Sequence, residues 1–258
     1  MKSLRKTIDI LDYLSDANRN VGVTELSLKL NLPKSTVHRI LKDLLEYSIV
    51  EQEKDTSRYK MGLRLLKYSN SLLRSFDLRQ IAKPILKKIC NKTGETTSLT
   101  VWINDEGFCL DSFFSSQNIN TNFFVEIGRK MPFHCTASSK TILANQPIEE
   151  IKRIIYKEPL LRYTPNTITE PKKLLEHLLE IKNKGFAICD EELEEGIKAI
   201  AAPIKNIQGK TIASITITGL TKRISSNNME RFIEVLTNLT QEVSKKLGYN
   251  KFIENELV

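Results

Sequence analysis

Four cysteines, three histidines and one tryptophan are few for 258 residues. Cys90, Cys109, Cys135 and Cys189 lie far apart with no CxxC pair. That leaves no sequence-local zinc site and no disulfide scaffold, and it fits reduced thiols in a cytosol. His38, His134 and His177 are scattered, and HExxH, GxSxG, GxGxxG and the phosphate-loop pattern are missing, so the common hydrolase, dinucleotide and nucleotide sites have no support. His134 adjoins Cys135, but neighbours in sequence do not by themselves set the geometry of a Cys–His couple. Neither catalysis nor a bound cofactor is expected. Ten glycines and eight prolines exclude collagen-like and low-complexity classes. No apolar run approaches the ~20 residues that span a bilayer, and the charged segment after Arg5 is unlike the apolar core of a secretory signal. A cytoplasmic protein with no membrane partner is expected.

What is present is ordinary globular material, 40% apolar, in a length that suits one or two domains. The net charge of +8 is unevenly placed: residues 1–76 hold fourteen Lys or Arg against nine Asp or Glu. A small basic N-terminal unit on a larger, more neutral body suits a nucleic-acid-binding module joined to something else.

The N-terminal residues support that reading. Leu4, Ile8, Leu11 and Leu14 recur at helical spacing after Ser3, a candidate cap. Thr24 reads as the cap of a short second helix that ends near Asn31, because Pro33 disfavours helical geometry at Leu32. Val37, Ile40, Leu41, Leu44 and Leu45 then mark the core face of a third helix. Its opposite face carries Lys34, Ser35, His38, Arg39 and Lys42, with Thr36 near the start. This is the pattern of a recognition helix, whose N-terminal residues meet base edges in the major groove. Residues 49–53 and 58–61 read as two strands around a polar tip, a wing that brings Lys54 and Arg58 to phosphate or the minor groove. A three-helix protein-interaction module with a solvated basic face is the alternative.

Residues 63–76 form a helix-patterned connector. Beyond it, residues 96–103 and 108–114 read as a hairpin, residues 128–132 as a loop, residues 137–144 and a segment from Pro171 to Gly185 as helices, residues 186–189, 197–204 and 211–218 as strands, and about 227–247 as a final helix. Hairpins with longer helical excursions indicate an α+β domain around a mainly antiparallel sheet.

The run TELSLKLNLPKSTVHRILKDLLEYSIVEQEKDTSRYKMGLRLL (24–66) resembles the winged helix-turn-helix of the IclR family of bacterial transcriptional regulators. GETTSL (94–99), GRKMPFHCTASSKTILA (128–144), TPNTIT (164–169), KGFAICDEELEEGIKAIAAPI (184–204) and ASITITG (213–219) extend the resemblance, in order, over nearly the whole chain. It implies a winged helix-turn-helix DNA-binding domain at 1–62, a linker helix at 63–76, and a GAF-like effector-binding and oligomerisation domain at 77–258. It also implies an effector site at Met131, Ala137, Ser138, Cys189, Asp190, Ile197, Ala199, Thr216 and Thr218. Thr24, Lys34, Ser35, Thr36, His38, Arg39, Lys42, Lys54 and Arg58 are the DNA-binding candidates. Members of the family often carry Asp and Cys where this chain has Cys189 and Ala199.

The chemistry fits independently. Backbone N–H groups at a helix start favour anions, and the alternate-strand hydroxyls of Thr216 and Thr218 share one face with reach to a carboxylate or hydroxyl. The function expected is a repressor that binds double-stranded operator DNA as a homodimer, or as a pair of dimers, under control of a small organic acid or sugar-derived acid. A second reading makes the sensor a metal or redox site of Cys135, Cys189, Asp190 and His134, all suitable zinc ligands. A third is a small-molecule enzyme with an accessory DNA-binding domain.

Overall fold

The apolar period of the first 46 residues becomes three helices, α1 (Lys2–Asp16), α2 (Val23–Lys29) and α3 (Lys34–Glu46), in a computed structural model that describes residues 2–17, 19–75, 77–114 and 125–250. Ile10, Leu14, Val21, Leu26, Val37, Ile40, Leu41, Val50 and Tyr59 form their shared core. Two expected caps are corrected. Ser3 lies inside the first turn of α1, and Thr24 lies inside α2, whose cap position is Gly22 with no side-chain cap bond. The entry to α2 is fixed by backbone instead: Val21 and Tyr59 exchange two N–H···O bonds of 2.8 Å. Leu45, expected in the core, is exposed. Eight residues at about 100° each carry it about 80° round the helix from Val37, to the rim of the buried face.

The link between α2 and α3 is closed by the Ser27 hydroxyl, which donates to the Leu32 carbonyl at 2.6 Å, and by Asn31 in left-handed geometry (φ 50°). The strands β1 (Val50–Gln52) and β2 (Tyr59–Met61) pair antiparallel with Glu51 opposite Lys60, so the expected wing is a real hairpin. Helix α4 (Arg64–Ser75) follows. Phe76, where the connector was expected to end, lies outside the described residues. Residues 1–75 make up one compact unit and residues 76–258 another.

In the second unit α5 (Asp77–Thr93) precedes the hairpin β3 (Thr96–Ile103) and β4 (Glu106–Phe113). Next come β5 (Lys130–Met131), α6 (Ala137–Ala144), α7 (Ile148–Ile155) and α8 (Pro171–Lys184), and then β6 (Ala187–Asp190), β7 (Ile197–Lys205), β8 (Thr211–Leu220) and α9 (Ser226–Lys246). Among the described residues one antiparallel sheet runs β5-β4-β3-β8-β7-β6. Two elements depart from expectation. The loop at 128–132 contains the short edge strand β5, and α7 was not foreseen, being eight residues long and starting behind Pro147.

The sheet is buried on both sides. Helices α5 and α9 pack on one face, and α6 packs on the other. The two-residue period sorts the side chains accordingly: Ala213, Ile215 and Ile217 lie on the α5/α9 side, and Ser214, Thr216 and Thr218 on the α6 side. Their partners follow suit, with Ser98 opposite Thr216, Thr96 opposite Thr218 and Thr100 opposite Ser214. Among the described residues no helix is long and apolar enough to cross a membrane.

Gly62, directly after the wing, cannot take a side chain cheaply. A Cβ there would stand 2.3 Å from the Ser48 carbonyl oxygen and 2.9 Å from the Ile49 carbonyl carbon. Backbone atoms cannot swing aside, so Gly62→Ala is expected to destabilise the N-terminal unit by about 1–3 kcal/mol. Thermal unfolding followed by circular dichroism should show the melting of the N-terminal unit move to lower temperature, and an unchanged melting curve would contradict the close packing of this turn.

Candidate functional site

The face expected to read DNA lies on α3. Val37, Ile40 and Leu41 are buried beneath it, while Lys34, Ser35, His38, Arg39 and Lys42 are exposed and Thr36 is half-buried. Arg39 is held only loosely, 3.9 Å from Asp43 one turn on, with both side chains largely in solvent. A pair of that kind contributes little to stability, which leaves the guanidinium available to another partner. Thr24 is exposed on the first turn of α2, and Lys54 and Arg58 are exposed at the wing. The wing tip is shaped by the Thr56 hydroxyl, 2.5 Å from the Glu53 carboxylate, and by Ser57 in left-handed geometry (φ 53°). Behind these residues Glu25 accepts from Arg19 at 2.6 Å and from the Tyr13 hydroxyl at 2.9 Å. Those hydrogen bonds, the guanidinium's first, hold its carboxyl below the ordinary carboxylate range.

In the second unit Met131, Ala137, Ser138, Cys189, Ile197, Ala199, Thr216 and Thr218 line a single cavity of about 40 Å³. That is room for little more than ordered water. Asp190 is apart from them. Cys189 pairs across the strands with Ala199 and Asp190 with Lys198, so the sheet period turns Asp190 to the opposite face, where its carboxylate meets the Lys198 ammonium at 2.7 Å.

The start of α6 forms one wall. Thr136 caps it, accepting from the Ser139 amide, and the next bond runs from the Lys140 amide to the Thr136 carbonyl. The first-turn amides of Ala137 and Ser138 therefore have no acceptor within the helix. Facing them, the Thr216 hydroxyl is buried without a hydrogen-bond partner. Cys135, named only in the metal or redox reading, also lines it, and residues missed in the sequence complete the lining: Val125 and Thr136, and Glu192, Leu193 and Glu194 from the acidic turn between β6 and β7. The clustered acids of DEELEEG were the available signal.

Residues 3–54 match the family described as the IclR helix-turn-helix domain, and residues 70–245 match the one described as bacterial transcriptional regulator IclR C-terminal. The chain belongs to the IclR family. It is 34% identical to the crystal structure of the Thermotoga maritima IclR, over 96% of this chain and 100% of that one, with a TM-score of 0.75. It is 27% identical to the transcriptional repressor IclR of Escherichia coli (strain K12), over 96% of this chain and 90% of that protein. An IclR homolog from Microbacterium hydrocarbonoxydans, solved in complex with 4-hydroxybenzoate, shares the fold at 23% identity and a TM-score of 0.78, over 95% of this chain and 98% of that one. This IclR-family protein is a DNA-binding transcriptional regulator with a C-terminal effector-binding domain, not an enzyme.

The four side chains of the metal or redox reading do not gather. Cys135 and Cys189 both reach the cavity, but Asp190 faces Lys198. The His134 Nε2–H is spent on the Leu161 carbonyl at 2.8 Å, and burial pushes the ring's pKa down. Among the described residues no three His, Cys, Asp or Glu side chains are grouped to hold one ion. His177, expected in solvent, is half-buried with Nδ1 3.4 Å from the Lys140 ammonium.

Burial pushes the Cys135 thiol up to about 12, so at pH 8 only about one part in 10⁴ is thiolate. Iodoacetamide should modify Cys135 in the native protein about a thousandfold more slowly than in the urea-unfolded chain, read by peptide mass spectrometry. The folded state holds this proton more tightly than the unfolded chain does. The thiol therefore contributes stability below the unfolded pKa of about 9, which is lost as pH rises from there towards about 12. Fast modification at pH 8 would show a reactive thiolate and reopen the redox reading.

Proposed function

We propose that the protein is a repressor that binds its operator as a homodimer and that a small organic acid held in the α6–sheet cavity resets its operator affinity. Arg39, Lys34, Lys42, His38, Ser35 and Thr36 read the major groove. Thr24, exposed on the first turn of α2, contacts the DNA backbone, and Lys54 and Arg58 of the wing neutralise phosphates. The observation that carries the effector reading is the meeting of two features in one cavity: the α6 first-turn amides, which have no acceptor within the helix, and the buried Thr216 hydroxyl without a partner. Amides at a helix start favour an anion, and a buried hydroxyl without a partner costs about 1–3 kcal/mol until something fills it. A carboxylate with a hydroxyl or carbonyl beside it satisfies both. The 4-hydroxybenzoate bound by the Microbacterium hydrocarbonoxydans homolog is a ligand of that general kind.

Exposed apolar side chains at helical spacing on α1 (Leu4, Ile8) and on α4 (Tyr68, Leu72) support a dimer, since exposed apolar patches often mark association sites. Two winged heads on a pseudo-palindrome follow from that symmetry. Coupling needs only that the effector favour one arrangement of the dimer, and about 1–3 kcal/mol changes operator affinity about 5- to 150-fold.

The DNA contacts are tested on an operator selected from a random duplex pool, with affinity read by fluorescence anisotropy. Arg39→Ala and Ser35→Ala are expected to weaken specific binding with helicity intact. Lys54→Ala and Arg58→Ala are expected to weaken specific and unrelated DNA alike, and each to flatten log K against log salt by about 0.9. Unchanged affinity in both α3 variants would overturn the recognition-face assignment.

The cavity is tested by titrating a panel of hydroxy and keto monocarboxylates against the same complex. Thr216→Val keeps the strand but removes the hydroxyl, so operator affinity without effector stays near normal while the half-response concentration rises about tenfold, about 1.4 kcal/mol. A response indifferent to Thr216→Val but abolished by a chelator and by Cys189→Ser would favour the metal reading.

A further inference from the structure

The cavity, about 40 Å³ and open to solvent on one side, is tight for the organic acid proposed above, so its lining has to spread to seat an effector. The acidic turn 191–196 is the wall whose restraints are local and countable. Glu192, Leu193 and Glu194 line the cavity from it. Its backbone starts in left-handed geometry at Glu191 (φ 57°) and ends so at Gly196 (φ 76°), and the Glu191 carboxylate closes it by accepting from the Gly196 amide at 2.9 Å.

Three sets of bonds tie this turn to the rest of the domain, one of them at its far end, where the Thr221 amide donates to the Gly196 carbonyl at 2.8 Å. From outside, the TPNT segment holds carbonyls: the Thr164 hydroxyl donates to the Glu191 carbonyl at 2.6 Å and the Thr167 hydroxyl to the Glu192 carbonyl at 2.7 Å. From inside, the Lys140 ammonium meets the Glu192 carboxylate at 2.5 Å, with the lysine side chain fully buried and the glutamate 7% exposed. Lys140 belongs to α6, the same helix that presents Ala137 and Ser138 to the cavity.

A fully buried ion pair is a poor source of stability, because desolvation offsets most of the attraction. What it does impose is position. Neither charge can leave the other without reaching water, and Glu192 has only to swing outward with its turn to do so.

We propose that the Lys140–Glu192 pair is the latch that holds the turn 191–196 against the cavity, and that room for the effector is made through its release. Glu192 and Lys140 are positioning residues in this scheme, and the Thr164 and Thr167 hydroxyls set the closed position from the other side. The proposal rests on the reading of this cavity as the effector site, but its test requires no effector. A failure to find a responsive metabolite is therefore distinguishable from a failure of the latch.

Cys135 and Cys189 line the cavity, whereas Cys90 and Cys109 are buried elsewhere in the same domain. The four thiols give two reporters of the wall and two of the fold. The full-length protein is treated with iodoacetamide and each cysteine is quantified by peptide mass spectrometry over time. In Lys140→Met the unpaired Glu192 is drawn to solvent, and modification of Cys135 and Cys189 is expected to accelerate at least tenfold while Cys90 and Cys109 keep their parental rates. Loss of the ammonium makes the Cys189 thiol harder to ionise and departure of Glu192 makes it easier, so the two charge effects oppose each other, and Thr167→Val, which keeps both charges, separates access from acidity. Thr167→Val leaves no charge unpaired, and it decides the matter if Lys140→Met does not fold. It is expected to accelerate the two cavity thiols about fivefold and no others. Equal acceleration of all four cysteines in Thr167→Val, or no selective acceleration at Cys135 and Cys189 in the variants that fold, overturns the latch.

Discussion

The regulatory domain depends on one constraint, a sheet buried on both faces of which only one is apolar. Along β8 and β3 the α5/α9 side is filled by residues such as Leu99, Ile215 and Ile217, and the α6 side by Ser98, Thr100, Ser214, Thr216 and Thr218. A buried hydroxyl has to find a partner or cost free energy, and this dictates what α6 is made of. Ser214 donates to the Ser138 carbonyl at 3.1 Å, Thr141 to the Ala201 carbonyl at 3.3 Å and Ser139 to the Met131 carbonyl at 2.7 Å. The helix consequently sits close enough that a Cβ on Gly107 would meet the Ser139 oxygen at 2.1 Å. Thr216, Ser98 and Thr100 are left over among these hydroxyls, and the cavity lies where Thr216 is.

The DNA-binding unit solves the opposite problem. It is too small for a generous core, and nine buried side chains from three helices and a hairpin supply it. The exposed side of α3 is thereby freed from any structural duty, so its cations and hydroxyls can be dedicated to a nucleic-acid partner. Arg64 buttresses the exit from the wing, its guanidinium donating to the Tyr47 carbonyl at 2.9 Å and lying over the rings of Tyr47 and Tyr68.

Much of this was legible in the residues, because long helices and strands announce themselves by period. The position of α3, the wing, the hairpin β3–β4 and the strands β7 and β8 all follow from spacing. The cavity list came chiefly from the resemblance, with the two-residue period adding that Thr216 and Thr218 share a face. Failures occurred where tertiary contacts outvote local chemistry. Ser3 and Thr24 are good caps in isolation, yet the entry to α2 is set by a backbone bridge to a strand 38 residues further on. Asp190 adjoins Cys189 in sequence, and only the strand register shows that neighbours must point to opposite faces. His177 looked solvated on a helix rich in Lys and Glu, and nothing local indicates that a buried lysine waits opposite. The Lys140–Glu192 pair, 52 residues apart in the chain, has no local signature at all.

The two hydrogen bonds between Val21 and Tyr59 carry a consequence for the operator itself. They stitch the start of the helix-turn-helix to the second strand of the wing, so on the DNA-contact reading proposed above α3 and the hairpin tip would meet DNA as a single stencil. Within one half-site the stretch read by the helix and the stretch touched by the wing are then spaced by protein geometry, with no slack for an inserted base pair between them. For the dimer proposed above, any tolerance in operator length then resides between half-sites, where two copies of the stencil meet.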